Sequence, residues 1–417
     1  MEGNRSYIKA LDGYRILDFG TAWAGPMTAQ LLADMGAEVI KVESRKKMDG
    51  IRLGRPIVGT DIAGGDEGKW PDMQPAFHAL NRNKLGITID LKHPVGQRVI
   101  RELVRISDVV MDNSSPGVMK KLGLDHKSLE AIKGDIVTLS LTACGESGPL
   151  KDVVAYAPSI AAIGGLNGLV GYPDDEVPYL MNVAYGDANA SIHGAVAVLA
   201  ALWHREETGR GQHIELSETE AVASLLGEGF MEYFMNGHIP GIQGNYSPRM
   251  CPHGIYQCMG DQNWIAIAVG TEDEWRSFCE AIGARSWLED ARFADMNVRL
   301  INHEELDRLI SERTKEYAPA EIVELLQQAG VAATIAMTIE DQFADPHYRE
   351  RKTFEEIEHP IVGAEMIFGI PWKLSRTPGK IERPAPSLGE HNDYVFGELL
   401  GYPIAEIRKL EKEKVFF

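Results

Sequence analysis

The sequence predicts an α/β fold with a parallel sheet in its N-terminal region and a compact α+β segment later in the chain. Three observations predict this. A strand–helix–strand unit runs from Tyr14 to Val42, and such a crossover implies parallel strands. Further short apolar runs bounded by polar turns follow it. A break rich in Pro and Gly then separates a second set of strand and helix patterns.

Tyr14 to Phe19 (YRILDF) reads as the first strand. Pro26 opens a helical stretch, PMTAQLLADMGA, with Pro suited to the first turn and Gly36 to the end. Ala37 to Val42, Leu85 to Ile89, Asp108 to Met111 and Ile136 to Leu141 read as further strands. Ser44 to Pro75 carries Arg45, Lys46, Lys47, Arg52 and Arg55, then Gly64, Gly65 and Asp66. It reads as a long surface loop, either solvated or functional. Ala188 to Arg205 is an Ala-rich helix, and a strand at His213 to Leu216 follows the break at Gly209 and Gly211. A second long helix is expected from Glu218 to Met235.

Pro240, Gly241, Gly244, Pro248 and Pro252 mark a linker. Trp264 to Val269 is a clear strand, and Thr271 with Glu274 forms a capping-box pair before a helix ending near Gly283. Helices follow at Glu304 to Tyr317 and Pro319 to Gln328, then a strand at Val331 to Met337. Beyond Pro346 the chain is rich in Pro and Gly, with a short helix at Asn392 to Leu400. The expected organisation is therefore 1–236, a linker and small domain at 237–345, and a C-terminal return at 346–417.

The chain has 417 residues, 44% hydrophobic and 25% charged. That suffices for a large core without disulfides and excludes a disordered or collagen-like chain. There are 42 basic and 61 acidic residues, a net charge of −19. That sign repels phosphate backbones and anionic lipid, so neither nucleic acid nor membrane is an expected partner. Cys144, Cys251, Cys258 and Cys279 form no CxxC pair, and reduced thiols in a cytoplasm are the plain reading. The first residues, MEGNRSYIKALDG, contain no signal-peptide core. The longest apolar-looking stretch, Gly194 to Trp203, is about half the ~20 residues of a membrane helix.

Several chemistries are disfavoured by the residues. The loop Gly20 to Pro26, GTAWAGP, lacks the G-x-G-x-x-G fingerprint and puts Trp23 where a pyrophosphate would need close approach. No NAD is expected. The histidines include no HExxH, and Cys251 with His253 is too small a ligand set, so no metal is expected. Gly145-Glu146-Ser147-Gly148 has the wrong spacing for a serine nucleophile. Asp187 stands out in Tyr185-Gly186-Asp187-Ala188, just before the Ala-rich helix. There the helix dipole favours an ionised carboxylate. Small neighbours leave room for an electrophile, and a carboxylate can attack one. A plain N-cap is the competing reading.

Longer stretches carry a resemblance. They are LDGYRILDFGTAWAGPMTAQLLADMGAEVIKVE (Leu11 to Glu43), NRNKLGITIDLKHPVGQ (Asn81 to Gln97) and DVVMDNSSPGVMKKLGL (Asp108 to Leu124). The others are the block from Tyr185 to Ser217 and PSLGEHNDYVFGELLG (Pro386 to Gly401). Together they resemble the family III CoA-transferases, the formyl-CoA and carnitine CoA-transferase family. The resemblance implies a Rossmann-like large domain built from both chain ends, a smaller inserted domain, and an interlocked dimer. It implies a cytoplasmic enzyme that moves coenzyme A from an acyl-CoA to a free carboxylic acid. Asp187 occupies the position of the family nucleophile, which passes through an aspartyl anhydride and an aspartyl-CoA thioester. Positions matching the CoA contacts are Ala22, Trp23, Ala24, Ile89, Lys92, Asn113, Ser114, Val118, Lys121 and Leu122. Arg45 adds a nearby cation for the CoA phosphates.

The chain departs from the family pattern at Trp23, at Ser114, at Ser44 and at Ala157, where an acidic residue is usual after the tyrosine. An α-methylacyl-CoA racemase-like enzyme shares the fold and keeps an aspartate at the position of Asp187, but its proton-transferring acid falls at Ala157. A non-catalytic subunit is a further alternative, so the partner is a second copy or a paralogous chain. The stretch near Glu43 and the block at Asp187 look most like the succinyl-CoA:benzylsuccinate branch. That suggests succinyl-CoA as donor and an aromatic or dicarboxylic acceptor in catabolism. Phe230, Met231, Tyr233, Phe234 and Met235 suit either an acyl pocket or a buried helix face.

Overall fold

Short aliphatic runs build a six-stranded parallel sheet. Its strands are β1 (Arg15–Asp18), β2 (Glu38–Glu43), β3 (Leu85–Thr88), β4 (Val109–Asp112), β5 (Val137–Thr142) and β6 (His213–Ser217). Their order is β3-β2-β1-β4-β5-β6, the doubly wound order in which the chain reverses direction between β1 and β4. Strands β1 to β5 are almost wholly buried, as a parallel sheet covered on both faces requires. Leu17 lies opposite Ile40 and Val110, and Thr142 opposite Ser217. This computed structural model describes residues 9–56, 66–173, 175, 179, 181 and 183–417. Gly64 and Gly65 of the expected loop lie outside the described residues.

The crossing helices are α1 (Ala24–Asp34), α2 (Pro75–Asn81), α3 (Pro94–Arg105), α4 (Val118–Lys121), α5 (His126–Glu130), α6 (Ala157–Ile163) and α7 (Tyr185–Thr208). After β6 come α8 (Glu218–Ala223) and α9 (Gly227–Asn236). One face of the sheet buries Leu17, Ile40 and Ile87 against Val99 and Leu103 of α3, and against Phe396, Ile407 and Phe416 from the chain's end. The other face buries Ile16, Val39 and Leu139 against Ala29 and Leu32 of α1 and Val198 and Leu202 of α7. The Ala-rich composition of α7 has a packing reason. A Cβ on Gly194 would lie 3.1 Å from Thr28 Oγ1 of α1.

Contacts divide the chain into two units. The first runs to Leu166, takes in Leu180–His238, and resumes at Lys352–Phe417. The second is Asn167–Tyr179 with Ile239–Arg351. It holds an antiparallel sheet of β7 (His253–Gln257), β8 (Trp264–Ala268) and β9 (Ala332–Ile335). Around it lie α10 (Glu272–Ala281), α11 (Met296–Ile301), α12 (His303–Thr314), α13 (Pro319–Gln328), α14 (Ile339–Ala344) and α15 (Pro346–Glu350). The Thr271–Glu274 capping box is formed. Its core gathers Ile265, Ile267, Phe278, Leu306, Ile310, Ile322 and Leu326.

Three sequence expectations are corrected. The stretch Glu218 to Met235 is not one helix. After α8 it tightens into a 3-10 turn at Ser224–Leu226 before α9. There Ser224 Oγ donates to the Ala221 carbonyl at 2.7 Å, and Gly227 is a weak helix former. The Pro- and Gly-rich return carries a hairpin, β10 (Phe354–His359) with β11 (Gly363–Phe368), a π-helical turn at Asp393–Leu399, and α16 (Ile404–Lys412). The basic segment after Ser44 is not simply a solvated loop. Arg52, in a 3-10 turn capped by Asp49, is fully buried. Its guanidinium donates to Glu43 at 2.9 to 3.1 Å and to Asp72 at 2.7 Å, and stacks 3.4 Å above the Phe77 ring. Removing one partner of such a network strands buried charge. Arg52→Ala should therefore destabilise the protein by about 3–5 kcal/mol, read as a lowered urea midpoint.

Candidate active site

The loop after β1 is built on buried charge. Lys41 Nζ donates to the Gly20 carbonyl at 2.7 Å, and Lys84 Nζ to the Pro26 carbonyl at 2.8 Å. Asp18 accepts from the Gly20 amide at 2.7 Å and Asp49 from the Ala22 amide at 2.8 Å. Ala22 is thereby held at φ 61°, a left-handed conformation that a residue with a Cβ seldom adopts. The two glycines of the loop pack on each other. A Cβ on Gly25 would lie 2.9 Å from Gly20 Cα. Asn113, just past β4, ties this loop down. Its side chain accepts from the Thr21 amide and donates to the Thr21 carbonyl, both at 2.8 Å. This junction spans β1 and β4, where open α/β sheets place their ligands.

The loop ends at α1, and α7 begins beside it. Ser191 Oγ donates to the Ala24 carbonyl at 3.0 Å, and Thr28 Oγ1 to the Ser191 carbonyl at 3.3 Å. Asp187 lies in the first turn of α7, not ahead of it; the N-cap is Ala184. Burial pushes its carboxyl up to about 6, against hydrogen bonds from its own amide and from the Ala24 amide that pull it down. The helix start is not its whole environment: burial outweighs the bonds that favour the charged form. A group near 6 is still mainly carboxylate at neutral pH.

A second carboxyl escaped the sequence reading. Glu218 opens α8 directly after β6, capped by Ser217. It is buried, and burial together with the charge of Asp187 pushes it up to about 8. In sequence it resembles any first-turn acid; only the folding of α8 against α7 joins it to Asp187. Trp23 Nε1, Thr142 Oγ1, Asp187 Oδ2 and Glu218 Oε2 are all buried without a protein partner. Such atoms are rare in native interiors and mark places where a ligand or water completes the bonding.

The expected CoA-contact residues lie beyond the C-terminal ends of β1 to β4. Ala22, Trp23 and Ala24 form the loop just described. Arg45, beyond β2, is exposed, with its guanidinium over the Phe417 ring and a hydrogen bond to the Leu388 carbonyl at 3.2 Å. Lys92 and Lys121 are also exposed, and free to meet phosphates. Ser114 donates its amide to Asp112, Val118 and Lys121 lie on α4, and Leu122 is its C-cap. Ile89 is 1% exposed and bonded through its amide to Glu43, so it shapes the floor and offers little surface to a ligand. Phe230, Met231, Tyr233, Phe234 and Met235 are exposed on α9, so they are not a buried face in this chain. Among the described residues no His, Cys, Asp or Glu cluster is arranged to hold a metal ion, and no helix is long and apolar enough to cross a membrane.

A doubly wound sheet with two buried carboxyls that lack cations beyond the C-terminal ends of its strands is the framework of an α/β enzyme. The chain belongs to CoA-transferase family III, whose model matches residues 11–392. It is 32% identical over 407 residues, 98% of each chain, to the succinyl-CoA–D-citramalate CoA-transferase of Chloroflexus aurantiacus. It is also 32% identical over 417 residues to that organism's succinyl-CoA–L-malate CoA-transferase beta subunit, covering 100% of both chains. A crystal structure of a CAIB/BAIF family protein from Brucella suis matches 94% of this chain and 99% of its own, with TM-score 0.84 and 31% identity. The protein is accordingly an enzyme that transfers CoA.

The carboxyl pair has a direct spectroscopic check. Infrared titration should show two carboxyls near pH 6, Asp187 and the buried Asp112, and a third near pH 8. Asp187→Asn should remove one of the two near pH 6 and move the third down, because a like charge has gone.

Proposed function

We propose that the protein moves CoA from succinyl-CoA to a dicarboxylic or aromatic acid, with Asp187 as the covalent nucleophile. The carrying observation is the Asp187 carboxyl itself. It is seated at the starts of both α1 and α7, with Oδ2 bound to nothing in the protein. The acyl-group assignment is supported by the names of the two Chloroflexus relatives, both of which take succinyl-CoA.

The chemistry follows from the residues. Asp187 attacks the thioester carbonyl of the donor, the C–S bond breaks, and CoA leaves as thiolate. The thiolate attacks the aspartyl carbon of the mixed anhydride and the donor acid departs, leaving an aspartyl-CoA thioester. The acceptor carboxylate displaces CoA from Asp187, and the thiolate then takes the acceptor acyl group and frees the carboxylate. No net proton is consumed. Thioester energy is retained provided that water is kept out. The Ala24 amide, which already bonds this carboxyl, is a donor for the negative charge that develops there. Arg45, Lys92 and Lys121 hold the CoA phosphates, with Ala22, Asn113, Ser114, Val118 and Leu122 shaping the walls.

We further infer that the enzyme is a dimer, with itself or with a paralogue. One relative is named a beta subunit. On α7, Ile192, Val196, Leu199 and Trp203 form a stripe at helical spacing that is 43 to 72% exposed, an apolar face of the kind that seeks a partner. Trp203→Glu should convert a dimer to monomer in sedimentation velocity, and an unchanged dimer would place the interface elsewhere.

Trapping tests the nucleophile. Incubation with succinyl-CoA followed by hydroxylamine should leave a hydroxamate on the peptide containing Asp187. Asp187→Ala should lose the adduct and on the order of 10⁴ or more in turnover. An adduct on another residue, or full turnover by that variant, would remove Asp187 from the role.

A further inference from the structure

Every other buried acid among the described residues has a cation or a hydrogen-bond donor on its carboxylate. Asp18 pairs with Lys84 at 2.8 Å, Asp34 with Arg82 at 2.7 Å, Glu43 with Arg52 at 2.9 Å, and Asp49 with Lys41 at 3.2 Å. Asp112 has no cation but accepts from the Ser114 amide at 2.9 Å and Ser140 Oγ at 3.2 Å. Glu218 is 5% exposed, and its Oε2 has neither a cation nor a donor. A buried carboxylate so placed is costly, and the group lowers that cost by keeping its proton. A protonated carboxyl is a hydrogen-bond donor. Here the donor belongs to the same helix junction as the reactive carboxyl. Asn189 Nδ2 of α7 donates to the Ala221 carbonyl of α8 at 2.7 Å, and a Cβ on Gly186 would lie 3.2 Å from Val222 Cγ2.

The surrounding elements supply no competing charge. Helix α6, which packs on α8, carries no ionisable side chain, and Tyr156 just before it is exposed. On α7 the groups are Tyr185, Asp187 and His193, which bonds its own helix at the Asn189 carbonyl, and, at the far end of the helix, His204, Arg205, Glu206 and Glu207, where Arg205 pairs with Asp108 at 3.0 Å. Strand β6 carries His213, paired with Glu146 at 2.9 Å, and Glu215, which accepts from the Glu146 amide. Cys144 follows β5, and Glu220 on α8 is exposed. Among these, Asp187 is the one whose charge acts on Glu218.

We propose that Glu218 is a further catalytic residue of this site: its protonated Oε2 donates a hydrogen bond to the acyl oxygen of the group being attached to, or released from, Asp187. The proton stays on Glu218 throughout. It stabilises the oxyanion of each tetrahedral intermediate, opposite the Ala24 amide. Ionisation of Glu218 removes that donor and sets a second negative charge beside Asp187 and the incoming carboxylate. The donor is therefore present below about pH 8 and lost above it. This rests on Asp187 being the nucleophile.

The test uses the whole enzyme, succinyl-CoA and labelled succinate, following exchange of label into succinyl-CoA from pH 5.5 to 9.5. Hydroxylamine trapping is run in parallel, and circular dichroism checks folding. The wild type should lose kcat as pH rises through about 8. Glu218→Gln keeps an N–H donor and cannot ionise. It should hold activity within about tenfold at pH 7 and lose the alkaline fall. Glu218→Leu keeps the bulk without the donor and should lose about 10²-fold in kcat, with the KM for succinyl-CoA little changed. An alkaline fall that persists unchanged in Glu218→Gln, or a Glu218→Leu variant as fast as wild type, overturns the assignment of Glu218 while leaving Asp187 in place. Absence of any Asp187 hydroxamate in the wild type overturns both.

Discussion

Beneath the loop joining β1 to α1, six charged side chains are buried in one network: Asp18, Lys41, Glu43, Asp49, Arg52 and Lys84. Burial drives the Asp18 carboxyl up, but Lys84 and Lys41 more than reverse it and hold the group below its ordinary value. Burial likewise lowers Lys84, to about 8, against the pull of Asp18. For Lys41 the neighbouring carboxylates prevail over burial and raise it. Buried ion pairs seldom add net stability over apolar packing. What this one provides is geometry. Its ammonium groups grip the carbonyls of Gly20 and Pro26, and its carboxylates grip the amides of Gly20 and Ala22. A loop with an alanine at positive φ needs such restraint to keep one conformation.

The active site inherits that restraint. The loop delivers the start of α1, and α7 docks on it through Ser191 and Thr28. The Ala24 amide can then face Asp187 from one side while the first turn of α7 presents it from the other. The electrostatic contrast is sharp: below the loop the buried charges are paired with opposite charges, and above it Asp187 and Glu218 have no cation. The charge of Asp187 adds to burial in raising the proton affinity of Glu218. Asp187, near 6, is mainly ionised at neutral pH, while Glu218, near 8, is mainly neutral. Such a split gives two like groups different acid–base states.

Much of the framework was legible in the chain. The strands at Tyr14–Phe19 and Ile136–Leu141, the Thr271 capping box, and the helix starting at Pro319 depend on local patterns, and local patterns are written in adjacent residues. The Ser44–Pro75 segment could be read either as solvated or as functional, because a run of basic residues by itself names no partner. Nothing nearby in sequence shows that Arg52 will meet Glu43, Asp72 and the Pro386 carbonyl. The aromatic residues of α9 are a further case: apolar periodicity signals a covered face without saying whether the covering belongs to this chain.

Asp187 itself could be picked out, because its small neighbours and helix start are local and its matching motif is contiguous. Its ionisation could not, since burial depends on what α1 and α8 bring against it. Glu218 was invisible for the same reason. Thirty residues of helix and strand separate it from Asp187 along the chain, and only the parallel pairing of β5 with β6 returns it to the edge where Asp187 lies. The sequence by itself determined the class of fold and the family and singled out Asp187, all carried by short-range pattern. The tertiary structure decided which charges are paired and which are left without a partner, because pairing in a buried site is a property of residues distant in sequence and adjacent only in space.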